Sequence, residues 1–314
     1  MKLLVIGGGV AGASVAYFAA RRGLAVTLLD DAAPRSSDVP AALLNPVRGQ
    51  SGRVGAQSLA GLRCTWALIA ELGQAGFPVP HGQTGVLRPV PDAETERKWR
   101  TNLGDELPHI WRDPEQPGWH RVLDIPEGGW VSGARLVRAL LAASGAALMR
   151  GQVTEVTSSS VRLATGEILN ADVVVCCGGS AGAGTLSLPG THRAGSLLLL
   201  DQVPAQPVSF GAYLSPGVVG GVLGATYEAP ATSHAQALSL GLPLRSLSWL
   251  LDKGAALTPL AGTRITGRWT GVRLSPLNSG MDDSGVWHLS GLGSKGFLLG
   301  PLLARELVGA LLTA

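Results

Sequence analysis

Apolar and polar positions change period along this chain, and each change marks an element. Leu3-Leu4-Val5-Ile6 is a short apolar run, followed by Gly7-Gly8-Gly9-Val10-Ala11-Gly12. Small residues continue to Arg22, and a second apolar run from Ala25 to Leu29 closes at Asp30. This predicts a strand, a tight turn, a helix and a strand. Residues 31–57 hold Pro34, Pro40, Pro46, Gly49 and Gly52 and keep no period, which predicts a long loop. Its Ala41–Pro46 stretch is too apolar for a disordered tail, so we expect it buried against a ligand. From 58 to 76, Leu59, Leu62, Trp66, Ile69 and Leu72 recur at helical spacing until Gly73 and Gly76. Trp66 is expected in the core.

Residues 84–91 read as a strand, and Asp92 as the cap of a polar helix to Asn102. The proline-rich stretch 104–130, with Trp111, Trp119 and Trp130, reads as strand and loop. Ser132 is the expected cap of a helix from Ala134 to Ala143. Short strands follow at Ala147–Met149, Val153–Thr157, Val161–Ala164 and Glu167–Leu169, with a hairpin at Gly166. Val173–Cys177 is apolar throughout, as a strand of a parallel sheet covered on both faces must be. From residue 193 the texture changes. Gly195–Leu200, Val208–Leu214 and Val218–Ala225 alternate with Pro and Gly turns, which predicts an antiparallel sheet. Residues 233–251 read as helix, with strands at 264–274 and Val286–Ser290, and Gly291–Gly296 opens an apolar helix. The fold class is therefore α/β (α+β overall), a Rossmann-like domain joined to a mostly antiparallel sheet.

Composition narrows the class. Of 314 residues, 46% are hydrophobic and 15% charged, enough to bury a large core and to exclude general disorder. The net charge of +3 does not by itself call for nucleic acid. Cys64, Cys176 and Cys177 form no CxxC, which argues against a disulfide framework or zinc site and points to a reducing, cytoplasmic compartment. Cys176 and Cys177 read as strand core. The apolar N-terminus lacks the basic region and uninterrupted apolar run of a signal peptide. The segment 296–313 contains Arg305 and Glu306, so it reads as a buried helix, and no membrane association is expected. His81, His109, His120, His192, His234 and His288 are scattered singly, so no metal site is expected.

The glycines carry the first chemistry. Gly7 permits the turn, Gly9 lets the backbone approach a pyrophosphate, and Gly12 lets the helix lie on the sheet. The helix opening at Val10 and Ala11 presents N–H groups and a positive dipole end to a phosphate. Asp30, about 20 residues on at the strand tip, suits a ribose hydroxyl and favours FAD or NAD over NADP, with Asp31 beside it. The turn Gly293-Ser294-Lys295-Gly296 is a second place where backbone N–H groups can meet a ligand.

These stretches resemble the FAD-dependent amino-acid oxidase family, of the glycine oxidase and D-amino-acid oxidase type. Within it they resemble the flavin oxidase domain of bifunctional enzymes that finish 5-methylaminomethyl-2-thiouridine in tRNA. The resemblance rests on Gly7–Asp30, Ala41–Gly49, Gly129–Ser132, Ala171–Gly179, Gly224–Glu228, Gly271-Val272-Arg273 and Gly291–Pro301. It implies a discontinuous layout, with FAD bound by 1–57, 131–192 and 265–314 and a substrate domain at 58–130 and 193–264. It implies that Ala42, Leu43, Leu44 and Asn45 pass near the flavin ring and that Val153 faces the adenine. It further implies that Cys177, Gly178 and Gly179, with Gly293, Ser294, Lys295, Gly296 and Phe297, complete the cofactor site. By the same resemblance Arg273 anchors a substrate carboxylate through its guanidinium fork, and Tyr213 and Tyr227 offer pocket hydroxyls.

The implied activity is oxidation of the C–N bond of a small amino acid or secondary amine by hydride transfer to flavin N5. Molecular oxygen is a candidate second substrate. A lesser reading is oxidative trimming of a carboxymethylaminomethyl-uridine in tRNA, which calls for a basic rim drawn from Arg48, Arg53, Arg63 and Arg264. A reading of another class is an FAD- or NAD-binding protein without turnover. Two departures bear on the substrate. Val39-Pro40-Ala41-Ala42 stands where the family has a Ser- or Gly-rich loop, and these residues include no methyltransferase domain.

Overall fold

The computed structural model describes residues 1–184 and 188–313, the side chain of Arg48 excepted. The strand Lys2–Ile6 lies at the centre of a six-stranded sheet, parallel to Ala25–Asp30 on one side and Val173–Cys176 on the other. Ala147–Arg150 extends the first side, and Trp287–Ser290 the second, where Asn278–Met281 adds an antiparallel edge that the sequence pattern did not suggest. The alternating exposure expected of a half-covered sheet is missing in the centre, because helices cover one face and the Val153–Asn170 strands pack on the other. The hairpin between Ser160–Leu163 and Ile168–Asn170 turns at Gly166 as expected, with φ +89°.

The helix Val10–Arg21 lies on the covered face, with Ala13, Val15, Ala16 and Ala19 fully buried. The terminal helix Gly296–Leu311 shares its core through Leu303, Ala304, Leu307 and Val308. Among the described residues no helix is long and apolar enough to cross a membrane. Asp92 caps Ala93–Leu103 through Thr95 N–H at 2.6 Å, as expected. Ser132 occupies the cap of Gly133–Ser144 without a capping bond from its side chain, and the N–H of Gly133 donates to the carbonyl of Val39.

The segment 31–57 is less irregular than expected. Ala42–Leu44 pairs with Gly129–Val131, which pairs in turn with His81–Gly82, so the apolar stretch satisfies its backbone as a strand. An eight-stranded sheet forms the second body. Its order is Ile265–Ser275, Thr191–Leu200, Gly221–Gly224, Ala212–Pro216, Val208–Phe210, Val86–Val90, Arg121–Ile125 and Ile110–Arg112. All neighbours are antiparallel except Val208 beside Leu87. The expected single strand 208–214 is two, folded at Gly211 with φ +78°. The expected helix 233–251 is also two, His234–Ser239 and Leu244–Leu257. Gly241 with φ +59° and Pro243 interrupt it, because neither continues a helix. Ile265–Ser275 pairs along its length with Thr191–Leu200, so the chain returns to the parallel sheet only after Ser275.

Candidate active site

A cavity of about 670 Å³ is lined by both bodies. At one end stands the glycine turn. Gly7 has φ +99°, and a methyl group there would come within 2.7 Å of the Cys177 carbonyl oxygen. A methyl on Gly12 would overlap the carbonyl of Gly7. Gly7, Gly9, Val10 and Ala11 line the cavity, while Gly12 is buried and outside the lining. Asp30 and Asp31 line the same end with Gly151, Gln152 and Val153. One oxygen of Asp30 accepts the N–H of Gly8 at 2.6 Å and Arg35 Nη1 at 3.2 Å, and the other accepts Ala32 N–H at 2.6 Å.

Two residues here escaped the sequence reading. Arg35 joins Asp30 to Asp38 and donates to the carbonyl of Gly8, and the Ser37 hydroxyl accepts the first-turn N–H of Val10. Their only sequence signal was a polar patch in a loop. The turn, the helix end and the strand-tip acid together fit a dinucleotide.

Beyond it, Ala42, Leu43 and Asn45 line the wall, whereas Leu44 is fully buried and outside the lining. Cys177, Gly178 and Gly179 belong to the same lining. Gly293, Ser294, Lys295, Gly296 and Phe297 complete it, so the residues expected at this end converge. Burial pushes the Cys176 thiol up to about 12 and the Cys177 thiol higher still, so both are neutral and the strand-core reading stands.

The far end is built on two adjacent strands of the large sheet. Gly195 and Gly271 are directly opposed, which leaves a bare patch of backbone. The Arg273 guanidinium lies over Gly195 and the Trp269 ring over Gly271. A methyl at either glycine would overlap its neighbour. Arg273 donates to the carbonyl of Thr226 at 2.8 Å and makes no ion pair among the described residues. Burial lowers its pKa, with Tyr213, Tyr227 and Glu228 opposing that shift.

Tyr213 is half-buried, lines the cavity and donates to the carbonyl of Ala41 at 3.0 Å, and desolvation raises its pKa. Tyr227 departs from expectation. It is 62% exposed and outside the lining, with Arg193 and Arg273 4.7 and 5.2 Å from its ring centre. Gly195, Trp269 and Arg88 also line this end, and no local motif marks them.

The histidines are not all solitary. Nδ1 of His192 and of His234 approach the Ser180 hydroxyl at 2.8 and 3.0 Å, and Ser180 lines the cavity. One hydroxyl has one proton, so one ring accepts from Ser180 and the other donates to it. Burial lowers both imidazole pKa values. Among the described residues no three His, Cys, Asp or Glu side chains gather as metal ligands. Trp66 is core and donates to the Glu127 carbonyl at 2.7 Å. Arg63 pairs with Glu127 at 2.7 Å and Arg264 with Asp201 at 2.8 Å. Arg53 is exposed, and the side chain of Arg48 lies outside the described residues.

A family model for FAD dependent oxidoreductases matches residues 2–310. Curated relatives include the tRNA 5-methylaminomethyl-2-thiouridine biosynthesis bifunctional protein MnmC of Caulobacter vibrioides, 31% identical over 99% of this chain and 54% of that protein. The protein of the same name from Polaromonas naphthalenivorans is 29% identical over 99% of this chain and 56% of its own length. The chain thus spans about half the length of these curated relatives. Among solved structures, an iminodiacetate oxidase from a Chelativorans species superposes with a TM-score of 0.85 at 21% identity, covering 99% of this chain and 95% of that one. A glycine oxidase from Bacillus cereus gives 0.83 at 21%, with the same two coverages.

Proposed function

Because the chain belongs to the family of FAD dependent oxidoreductases, we propose that it oxidises the C–N bond of a small amino acid or secondary amine that carries a carboxylate. The observation that carries this reading is Arg273, a half-buried guanidinium without an ion-pair partner among the described residues, in the same cavity as the glycine turn. Burying an unpaired cation is costly, and a carboxylate substrate relieves that cost. Bound FAD supplies a two-electron acceptor for the hydride that leaves Cα as the amine becomes an imine.

The protein's part is placement. Gly7, Gly9 and Asp30 would hold the ADP portion, and the walls at Ala42–Asn45 and Gly293–Phe297 would hold the ring portion. Arg273 grips the carboxylate with two parallel N–H bonds and so fixes which face of Cα meets the cofactor. A substrate arriving as the neutral amine needs no dedicated base, which agrees with a wall that offers no free carboxylate beside Arg273. Three free, buried thiols support a reducing, cytoplasmic setting.

The tRNA reading draws on the printed names of the curated relatives. Against it, two of the four arginines expected on a basic rim are neutralised in ion pairs. The deciding experiment is the absorption spectrum of the purified holoenzyme during anaerobic addition of glycine, sarcosine and larger amino acids. Bleaching of the flavin band by any of them supports the proposal. No bleaching by any carboxylate-bearing amine rejects it.

A further inference from the structure

Arg88 stands on the strand Val86–Val90, in the wall of the same cavity, and only 3% of it is exposed. Its guanidinium has five N–H donors. Nη1 donates to the carbonyl of Val47 at 3.1 Å, Nη2 donates to that of Gly49, and the group sits 4.7 Å from the centre of the Trp99 ring. Its Nε is buried with no partner, and no carboxylate reaches it among the described residues. Burial lowers its pKa to about 10, so it keeps its charge at neutral pH. Two backbone carbonyls and a ring face offset only part of the desolvation of a full charge.

Among the described residues the carboxylates in the cavity lining are Asp30 and Asp31, at the end with the glycine turn. The rest of the lining therefore carries Arg88, buried, and Arg273, half-buried, with no carboxylate there to match either. One substrate carboxylate satisfies one of them. We propose that Arg88 is the binding group for a second carboxylate, so that the preferred substrate is an amine carrying two carboxylates. This rests on the amine-oxidation reading above and adds the substrate class to it. Leu197 and Trp269 add apolar surface to the same lining, which suits the carbon–nitrogen chain that would join the two acid groups.

The test compares matched pairs on the holoenzyme. Sarcosine and iminodiacetate are secondary amines that differ by one carboxylate. Methoxyacetate and diglycolate are their ether analogues, which cannot be oxidised and report binding alone through the perturbed flavin spectrum. We expect diglycolate to bind at least tenfold tighter than methoxyacetate, since one further charge-assisted hydrogen bond is worth about that factor or more. Arg88→Met should erase the difference, and Arg88→Lys should keep part of it. Iminodiacetate should show the same advantage over sarcosine in the concentration dependence of flavin reduction. Equal binding of the two ethers by the wild type overturns the proposal. So does a dicarboxylate preference that survives in Arg88→Met. If Arg88→Met fails to fold, the wild-type and Arg88→Lys comparisons still decide. Reduction by sarcosine without any dicarboxylate advantage would sink this inference alone, whereas no reduction by either amine would remove the amine-oxidation reading beneath it.

Discussion

The guanidinium of Arg273 rests on the bare backbone of Gly195, where a methyl group would overlap Nη2. The two residues lie on adjacent antiparallel strands, one diagonal step apart, since Gly195 opposes Gly271 and Arg273 opposes Arg193. Gly195→Ala should therefore displace the guanidinium without touching the dinucleotide end. We expect FAD content to stay at the wild-type level while KM for a carboxylate-bearing amine rises about tenfold or more, the equivalent of one charge-assisted bond. Steady-state kinetics with flavin quantified per chain checks this. An unchanged KM would mean that Arg273 does not grip the substrate.

Arg273 itself gives the complementary test. Arg273→Lys keeps a charge but loses the fork, so turnover should fall, and Arg273→Ala should fall further. Both should retain FAD, because the glycine turn proposed for the dinucleotide lies at the other end of the cavity. Rapid-mixing reduction of bound flavin by a small amino acid distinguishes the three proteins. Loss of FAD in the alanine variant would move Arg273 into the cofactor site.

Asp30→Ala removes the acceptor of Gly8 N–H and Ala32 N–H as well as the partner of Arg35. Cofactor affinity should fall by about 1.5–3 kcal/mol, the range for hydrogen bonds to a charged group. Titration of apoprotein with FAD measures it, and an unchanged Kd would detach Asp30 from the ribose.

Ser180, His192 and His234 predict a pH dependence. Unfolded histidine titrates near 6.5, and burial lowers both folded-state values. Below that pH the unfolded chain binds protons that the folded one refuses, so stability falls as pH drops through about 6.5. Above it the two rings contribute no slope. The double variant His192→Asn with His234→Asn should flatten this part of the curve. Urea midpoints between pH 8 and 5 compare the two proteins, and parallel curves would refute the assignment.

Binding of tRNA, if it were the enzyme's task, would weaken steeply with salt through counterion release. With Arg63 and Arg264 engaged in ion pairs, we expect no tight binding even at low ionic strength. Filter binding at two salt concentrations checks this. Tight binding with a steep slope would bring the tRNA reading to the front.

What the residues reveal on their own tracks the distance over which they act. The turn from Gly7 to Asp30 is readable because each glycine serves a neighbour within one strand–helix–strand unit. Arg273 becomes a candidate through resemblance, as nothing around Gly271-Val272-Arg273 announces a pocket. Arg88 on its strand looks like any half-exposed arginine, and its isolation emerges only once Val47, Gly49 and Trp99 have folded over it.

The same holds for Ser180 with His234, 54 residues apart, and for Tyr213 with Ala41, 172 apart. Local errors have local causes. The apolar period of 233–251 runs through Gly241 and Pro243, so periodicity reads one helix where backbone geometry makes two. Tyr227 shares a motif with buried neighbours but emerges on the surface.

The terminal helix Gly296–Leu311 packs into the same core as Val10–Arg21, and Trp287–Ser290 docks beside Val173–Cys176. The core of the first strand–turn–helix unit is therefore completed by segments far along the chain. During synthesis, this strand, turn and helix emerge with an apolar face whose partners are made much later. Contacts of such long sequence separation slow folding and leave sticky surface waiting. A transcript cut short before Gly296 would yield not a smaller enzyme but a chain whose cofactor turn has no backing.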